Sequence, residues 1–167
     1  MKILLLSDTH GYIDDAILQH ALQADEIWHA GDFGTIEVSD QLSARKPLLG
    51  VYGNIDGTAI RKTHPEMLVF DIEGVKVMMI HIGGYHRHFP AKVKSLIAIH
   101  RPALFVCGHS HILKVMRDPD HENMLCMNPG AAGRSGFHHV RTMLRFEINQ
   151  GKIENAEVIE LGKRTIG

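Results

Sequence analysis

The chain has 167 residues, 44% of them hydrophobic and 22% charged, with a formal net charge of −1 when histidine is neutral. That balance predicts one globular domain over residues 1–167 and argues against specific nucleic-acid binding, because the basic residues are scattered. No apolar stretch approaches the roughly 20 residues of a membrane span, and the opening run is too short for a signal-peptide core, so a cytoplasmic protein is expected.

Residues 2–7 form a continuous apolar run, the mark of a strand buried on both faces. Ile13, Ile17 and Ala21, with Leu18 and Leu22, recur at four-residue spacing and predict an amphipathic helix over residues 13–23. A short strand follows at 26–30, a weakly patterned helix at 35–44 and an apolar strand at 47–52. This β-α-β-α-β opening predicts parallel strands with crossover helices. From Glu66 the pattern changes. Strands at 67–73 and 75–82 flank Glu73-Gly74 as a hairpin, and a helix at 90–100 starts at Pro90 and stops before Pro102. A strand at 104–107 leads to the pair 112–117 and 123–128, and a hairpin of 141–148 with 153–161 closes the chain. The expected class is α/β, with two mixed β-sheets packed as a sandwich flanked by helices.

Two motifs share a spacing of two, Asp8-Thr9-His10 and His109-Ser110-His111, and each follows an apolar run. In extended chain, residues two apart point the same way, so each pair is expected to present two ligands to one side. Gly31-Asp32, Gly53-Asn54-Ile55-Asp56 and His81 also follow apolar runs. Each piece alone has a structural reading as turn chemistry or a hydrogen-bonded core histidine. Together, ligands at the carboxyl ends of neighbouring strands converge on one crevice. Asp8, His10, Asp32, Asn54, His81, His109 and His111 suit a pair of divalent cations, with water completing the coordination. Imidazole and oxygen donors favour Mn, Fe, Zn or Co over calcium, and no thiolate is offered. Cys107 and Cys126 are expected to be buried and reduced. His20, His29, His64, His100 and His121 belong to no motif and are expected to have no role in chemistry.

Asp-x-His, Gly-Asp, Gly-Asn-x-Asp, an isolated His and Gly-His-x-His, in that order, resemble the calcineurin-like metallophosphoesterase superfamily. Its small single-domain YfcE-type phosphodiesterases are the nearest in length, and the resemblance runs from Met1 through Asn128-Pro129-Gly130. It implies a two-sheet sandwich with Asp8, His10 and His111 on one metal, Asn54, His81 and His109 on the other, and Asp32 bridging both. It also implies two divalent metal ions per chain, manganese foremost with Fe, Zn, Ni, Co or Mg as alternatives. A small phosphoester substrate and a homo-oligomer are implied too. Two positions depart from the family pattern. Ile55 stands where many members carry a histidine that acts as general acid, and His81 is followed by Ile82-Gly83-Gly84.

The expected chemistry is attack of a metal-bridging hydroxide on the phosphorus of a phosphodiester, with Asp32 giving one oxygen to each ion. Asp32, Asn54, Asp56 and His81 are the expected catalytic residues, Asp56 either orienting a metal-binding histidine or serving as a turn carboxylate. Substrate contacts are expected from Asn54, His86 and Arg134. The loops at 83–88 and 134–139 read equally as phosphate-contacting rims or as solvated loops. With no proton on Ile55, substrates with good leaving groups are favoured. The competing expectation is a non-catalytic metal-binding or protein-interaction scaffold on the same fold, as a retromer subunit that resembles these enzymes illustrates. Such a scaffold should have lost a ligand.

Overall fold

A computed structural model describes residues 1–165; Ile166 and Gly167, the end of the expected domain, lie outside the described residues. The chain runs β1 (Lys2–Leu6), α1 (Asp15–Leu22), β2 (Glu26–His29), α2 (Ile36–Ser43), β3 (Leu48–Gly50), α3 (Thr58–Thr63), β4 (Met67–Ile72) and β5 (Val75–Ile80). It continues with α4 (Ala91–His100), β6 (Leu104–Val106), β7 (Leu113–Asp118), β8 (Met124–Pro129), β9 (Val140–Asn149) and β10 (Lys152–Lys163). Two five-stranded mixed sheets result, ordered β10-β9-β1-β2-β3 and β4-β5-β6-β8-β7. The α/β two-sheet class is as the sequence predicts.

The apolar run at the start of the chain shows why the layers stack. Ile3 and Leu5 face the other sheet, in a core with Trp28, Val77, Met79, Val106 and Phe146. Leu4 and Leu6 point the opposite way, onto Ile17 and Ala21 of α1 and Val38 and Leu42 of α2. A strand between two apolar layers carries no polar face, and burying each such side chain contributes about 1.5–3 kcal/mol. On the outer face of the second sheet, Met78, Ile80 and Phe105 meet Val93 and Ile97 of α4. The α1 helix starts where the Asp14 side chain accepts from the Ile17 N–H at 3.0 Å. The β4–β5 turn places Glu73 and Gly74 at φ 44° and 83°, the paired left-handed residues of a two-residue hairpin.

Three features differ from the sequence reading. Helix α3 has no counterpart in it, because six residues give too short a periodic pattern. The closing hairpin of β9 and β10 joins the first sheet, β9 pairing antiparallel with β1 on the side away from β2. β5, β6 and β8 pair parallel, so parallel pairing is not confined to the β-α-β-α-β opening. Among the described residues no helix is long and apolar enough to cross a membrane.

Candidate metal centre

All seven predicted donors sit on loops leaving the carboxyl ends of strands. Asp8 and His10 follow β1, Asp32 follows β2, Asn54 follows β3, His81 follows β5, and His109 and His111 follow β6. The two sheets therefore open one crevice from both sides. The paired motifs are not extended as the sequence reading supposed. Asp8, His10, Asp32, His109 and His111 all lie in the left-handed region, with φ of 54°, 48°, 57°, 70° and 61°. Each such residue stores about 1–3 kcal/mol of strain, tolerated best by Asp, Asn and His. Convergence thus comes from tight turns beyond the strand ends. Backbone bonds hold those turns: Asp8 N–H donates to the Gly31 carbonyl at 2.9 Å, His10 N–H to that of Asp32 at 3.0 Å.

The donors form two groups, Asp8 with His10 and His111, and Asp32 with His81 and His109. Asp8 Oδ1 lies 3.2 Å from His111 Nε2 and 3.7 Å from His10 Nε2. Asp32 Oδ2 lies 3.2 Å from His81 Nε2 and 3.4 Å from His10 Nε2, so one oxygen faces both groups. Its Oδ1 accepts the Ile55 N–H at 3.1 Å. The expectation was one Asp32 oxygen for each ion; here Oδ2 alone faces the imidazoles of both groups. Asn54 Oδ1 completes the second group, 3.1 Å from His81 Nε2 and 3.0 Å from His109 Nδ1.

The donor chemistry fits cations. His81 Nδ1–H donates to the Ala30 carbonyl at 2.7 Å, so in the neutral ring Nε2 turns a lone pair toward Asn54 and Asp32. Asp8 Oδ1 and His10 Nε2 are buried without a hydrogen-bond partner among the described residues. Lone pairs facing lone pairs in a buried pocket call for positive charge between them. Burial pushes the Asp8 and Asp32 carboxyls up, yet the surrounding imidazoles prevail and hold both well below the usual carboxylate range. The Asp32 and Asp8 carboxylates beside it raise His10 to about 9. Burial opposes a rise at His81, but Asp32 and Asp8 outweigh it. The thiols take no part: burial drives Cys107 and Cys126 up to about 12, and both are free.

The model of the calcineurin-like phosphoesterase superfamily domain matches residues 1–151. The chain belongs to that superfamily. A "Probable metallophosphoesterase" of Methanothermobacter thermautotrophicus is 28% identical over 136 residues, covering 78% of this chain and 77% of that protein. Wild-type Vps29 of Entamoeba histolytica, in a crystal structure with Zn2+, superposes with a TM-score of 0.73 at 17% identity over 96% of this chain and 99% of its own. A conserved Streptococcus pneumoniae protein described as a predicted phosphoesterase gives 0.66 at 20% identity over 95% and 97%. These two share the fold.

Three predicted site residues of this phosphoesterase domain stand apart from the donor cluster. The buried Asp56 carboxylate accepts the N–H groups of Phe33, Gly34 and Gly53 at 3.1, 2.8 and 2.8 Å. It touches no imidazole, so the expectation of a catalytic or histidine-orienting role gives way to a clasp between the Asp32 and Asn54 loops. His86 Nδ1 bonds Asp118 Oδ1 at 2.7 Å at the far end of β7, which removes it from the expected substrate contacts. Arg134 stacks over the Tyr12 ring at 4.2 Å, beside the His10 loop.

Other residues of the phosphoesterase domain support the donors without a signal in the sequence. Ser7 Oγ–H and His109 N–H both donate to Asp8 Oδ2, at 2.7 and 3.1 Å, leaving Oδ1 for the site. Asn128 Nδ2 donates to the Gly108 carbonyl at 2.9 Å and clamps the His109–His111 loop. Gly31 is required because a Cβ there would enter the His81 ring. His29, expected to be idle, is fully buried and bonds Thr9 Oγ1 and the Gly31 N–H, tying the first two ligand loops together. His138 meets His111 from the β8–β9 loop.

Proposed function

We propose that this chain hydrolyses phosphodiesters at a dinuclear metal centre. One observation carries the reading: Asp32 Oδ2 stands 3.4 and 3.2 Å from the His10 and His81 Nε2 atoms while buried Asp8 Oδ1 has no hydrogen-bond partner among the described residues. Asp8, His10 and His111 would hold one cation and Asn54, His81 and His109 the other, with Asp32 placed between the two groups to serve both. A pair of divalent cations bound there acidifies water and neutralises charge on the phosphoryl oxygens. The Asn54 amide, its oxygen turned to the imidazoles, keeps Nδ2–H for a phosphoryl oxygen. Ile55 has no proton to give, so the leaving oxygen departs as an anion and acidic leaving groups react fastest.

Diesters fit better than monoesters because free positive charge is scarce beside the centre. Lys92 is paired with Glu66 at 2.6 Å, and Arg134 lies on Tyr12. The proposal extends to manganese as the native ion, on imidazole and carboxylate donors, and to a cytoplasmic homo-oligomer. The Vps29 neighbour that carries Zn2+ supports divalent-metal binding on this fold. A non-catalytic scaffold would be expected to have lost a donor, and all seven positions hold residues able to coordinate.

Metal analysis with hydrolysis of bis(p-nitrophenyl) phosphate and p-nitrophenyl phosphate tests this. Two equivalents of metal and faster diester cleavage are expected, and Asp32→Asn should lower the rate by about 100-fold or more. Undiminished hydrolysis in that variant, or none with any divalent metal, defeats the reading.

A further inference from the structure

The rim of the metal centre is apolar. Ile55, Ile82, Tyr85, Ile112 and Phe137 are exposed to 47%, 44%, 43%, 62% and 99%. Four of them are chain neighbours of site residues: Ile55 follows Asn54, Ile82 follows His81, Ile112 follows His111, and Phe137 precedes His138. Apolar side chains concentrated in this way around a crevice mark a binding surface.

Three clefts lead away from the donors, and each has an apolar wall. One of about 260 Å³ passes Asn54 and His81 beneath Ile82. A second, of about 180 Å³, leaves His109 between Ile82, Tyr85 and Ile112. The third and widest, about 480 Å³, leaves His109 and His111 between Ile112 and Phe137. Of the cations along these walls, Lys92 is neutralised by Glu66 at 2.6 Å, while Lys114 Nζ sits over the Tyr85 ring at 3.8 Å in the second cleft. The widest cleft has no Lys or Arg among its described lining residues, so a polyanionic arm there would meet no fixed cation, whereas an apolar arm meets Ile112 and Phe137. Because each cleft ends at a donor side chain, its occupant is continuous with the phosphoryl group.

Resting on the phosphoesterase reading of the same site, we infer that the substrates are phosphodiesters bearing a bulky apolar ester group, aryl or alkyl. That group lies in the widest cleft against Ile112 and Phe137. In the reaction a water oxygen bonds to phosphorus and the bond from phosphorus to the leaving ester oxygen breaks. That oxygen keeps the electron pair, takes its proton from solvent, and leaves the apolar group on a phosphomonoester product.

The test uses manganese-loaded protein and p-nitrophenyl diesters that share the leaving group and differ in the other ester: methyl, phenyl or 5′-thymidyl. The phenyl ester should exceed the methyl ester in kcat/KM by about tenfold or more, and the thymidyl ester should fall below the phenyl ester. The surface double variant Phe137→Ser/Ile112→Ser should bring the phenyl-to-methyl ratio toward one. A ratio of one in the wild type, or a ratio unmoved in the variant, overturns the inference. Calorimetric binding of phenylphosphonate against methylphosphonate makes the same comparison without turnover. A phenyl preference with no hydrolysis would sink the phosphoesterase reading and leave the apolar subsite standing. Hydrolysis without a phenyl preference would do the reverse. Light scattering covers the remaining occupant: a dimer that the double variant dissociates, together with a ratio of one, would assign the rim to a second copy and overturn the proposal.

Discussion

His111 and His138 meet through their Nδ1 atoms at 3.3 Å, although 27 residues separate them in the chain. The proton between them belongs to His111. His138 Nε2–H already donates to the Gly133 carbonyl at 2.8 Å, so in its neutral ring Nδ1 can only accept. His111 therefore holds its proton on Nδ1 and turns Nε2 toward Asp8 Oδ1. Arg164 secures the arrangement from the C-terminal side, its Nε donating to the His138 carbonyl at 2.8 Å.

His138→Ala removes the acceptor that fixes this tautomer. Metal affinity at the Asp8 half should fall by about 10- to 100-fold, the usual effect of losing a hydrogen-bond partner behind a metal-binding histidine. Competition with a chromogenic chelator measures it. Partial recovery in His138→Gln, which keeps an acceptor, separates orientation from general loosening of the loop.

Asp56→Ala leaves three backbone N–H groups without their acceptor. Unsatisfied buried donors cost about 1–3 kcal/mol each, and relaxation and water recover part of that. A loss of about 3 kcal/mol in urea unfolding is expected, with weaker metal binding because the Asp32 and Asn54 loops are no longer clasped. Unchanged stability would contradict the clasp.

Acid should destabilise the metal-free protein well before the carboxylates titrate. Burial lowers His29 to about 3, and burial also lowers His64. Between pH 6.5 and 4 the unfolded chain binds a proton at His29 that the folded chain does not, and His64 acts in the same direction, so stability falls as pH falls. His10 and His81, whose values are raised, act in the opposite sense around pH 6.5, where their unfolded rings still titrate, and add little slope well below it. Melting temperatures in chelator from pH 7 to 4 test this, and His29→Gln should flatten the dependence.

Ile55→His restores a titratable group beside Asn54 at a position already half exposed. General acid catalysis contributes about 10²–10⁴-fold, so a methyl or ethyl leaving group should gain at least tenfold in rate. A p-nitrophenyl leaving group, which needs no proton, should gain little. Equal gains for both would mean that Ile55 acts on binding instead of on the departing oxygen.

The donor set is legible in the sequence because Asp8, His10, Asp32, Asn54, His81, His109 and His111 each follow an apolar run, and strand ends reveal themselves through local pattern. The two-sheet class is legible for the same reason. Asp56 misled because turn chemistry and catalytic chemistry use the same carboxylate, and only its three backbone partners distinguish them. His86 misled because its neighbour Asp118 lies 32 residues away.

By itself the sequence determined which side chains could bind metal and which strand ends they follow, since alternation and the ends of apolar runs are properties of adjacent residues. Only the tertiary structure decided how they meet. Left-handed turns at five donors replace the extended pairs, a single oxygen of Asp32 faces both groups, and His138 arrives from another loop to orient His111. These depend on hydrogen bonds between segments far apart in the chain, and no local periodicity records such bonds.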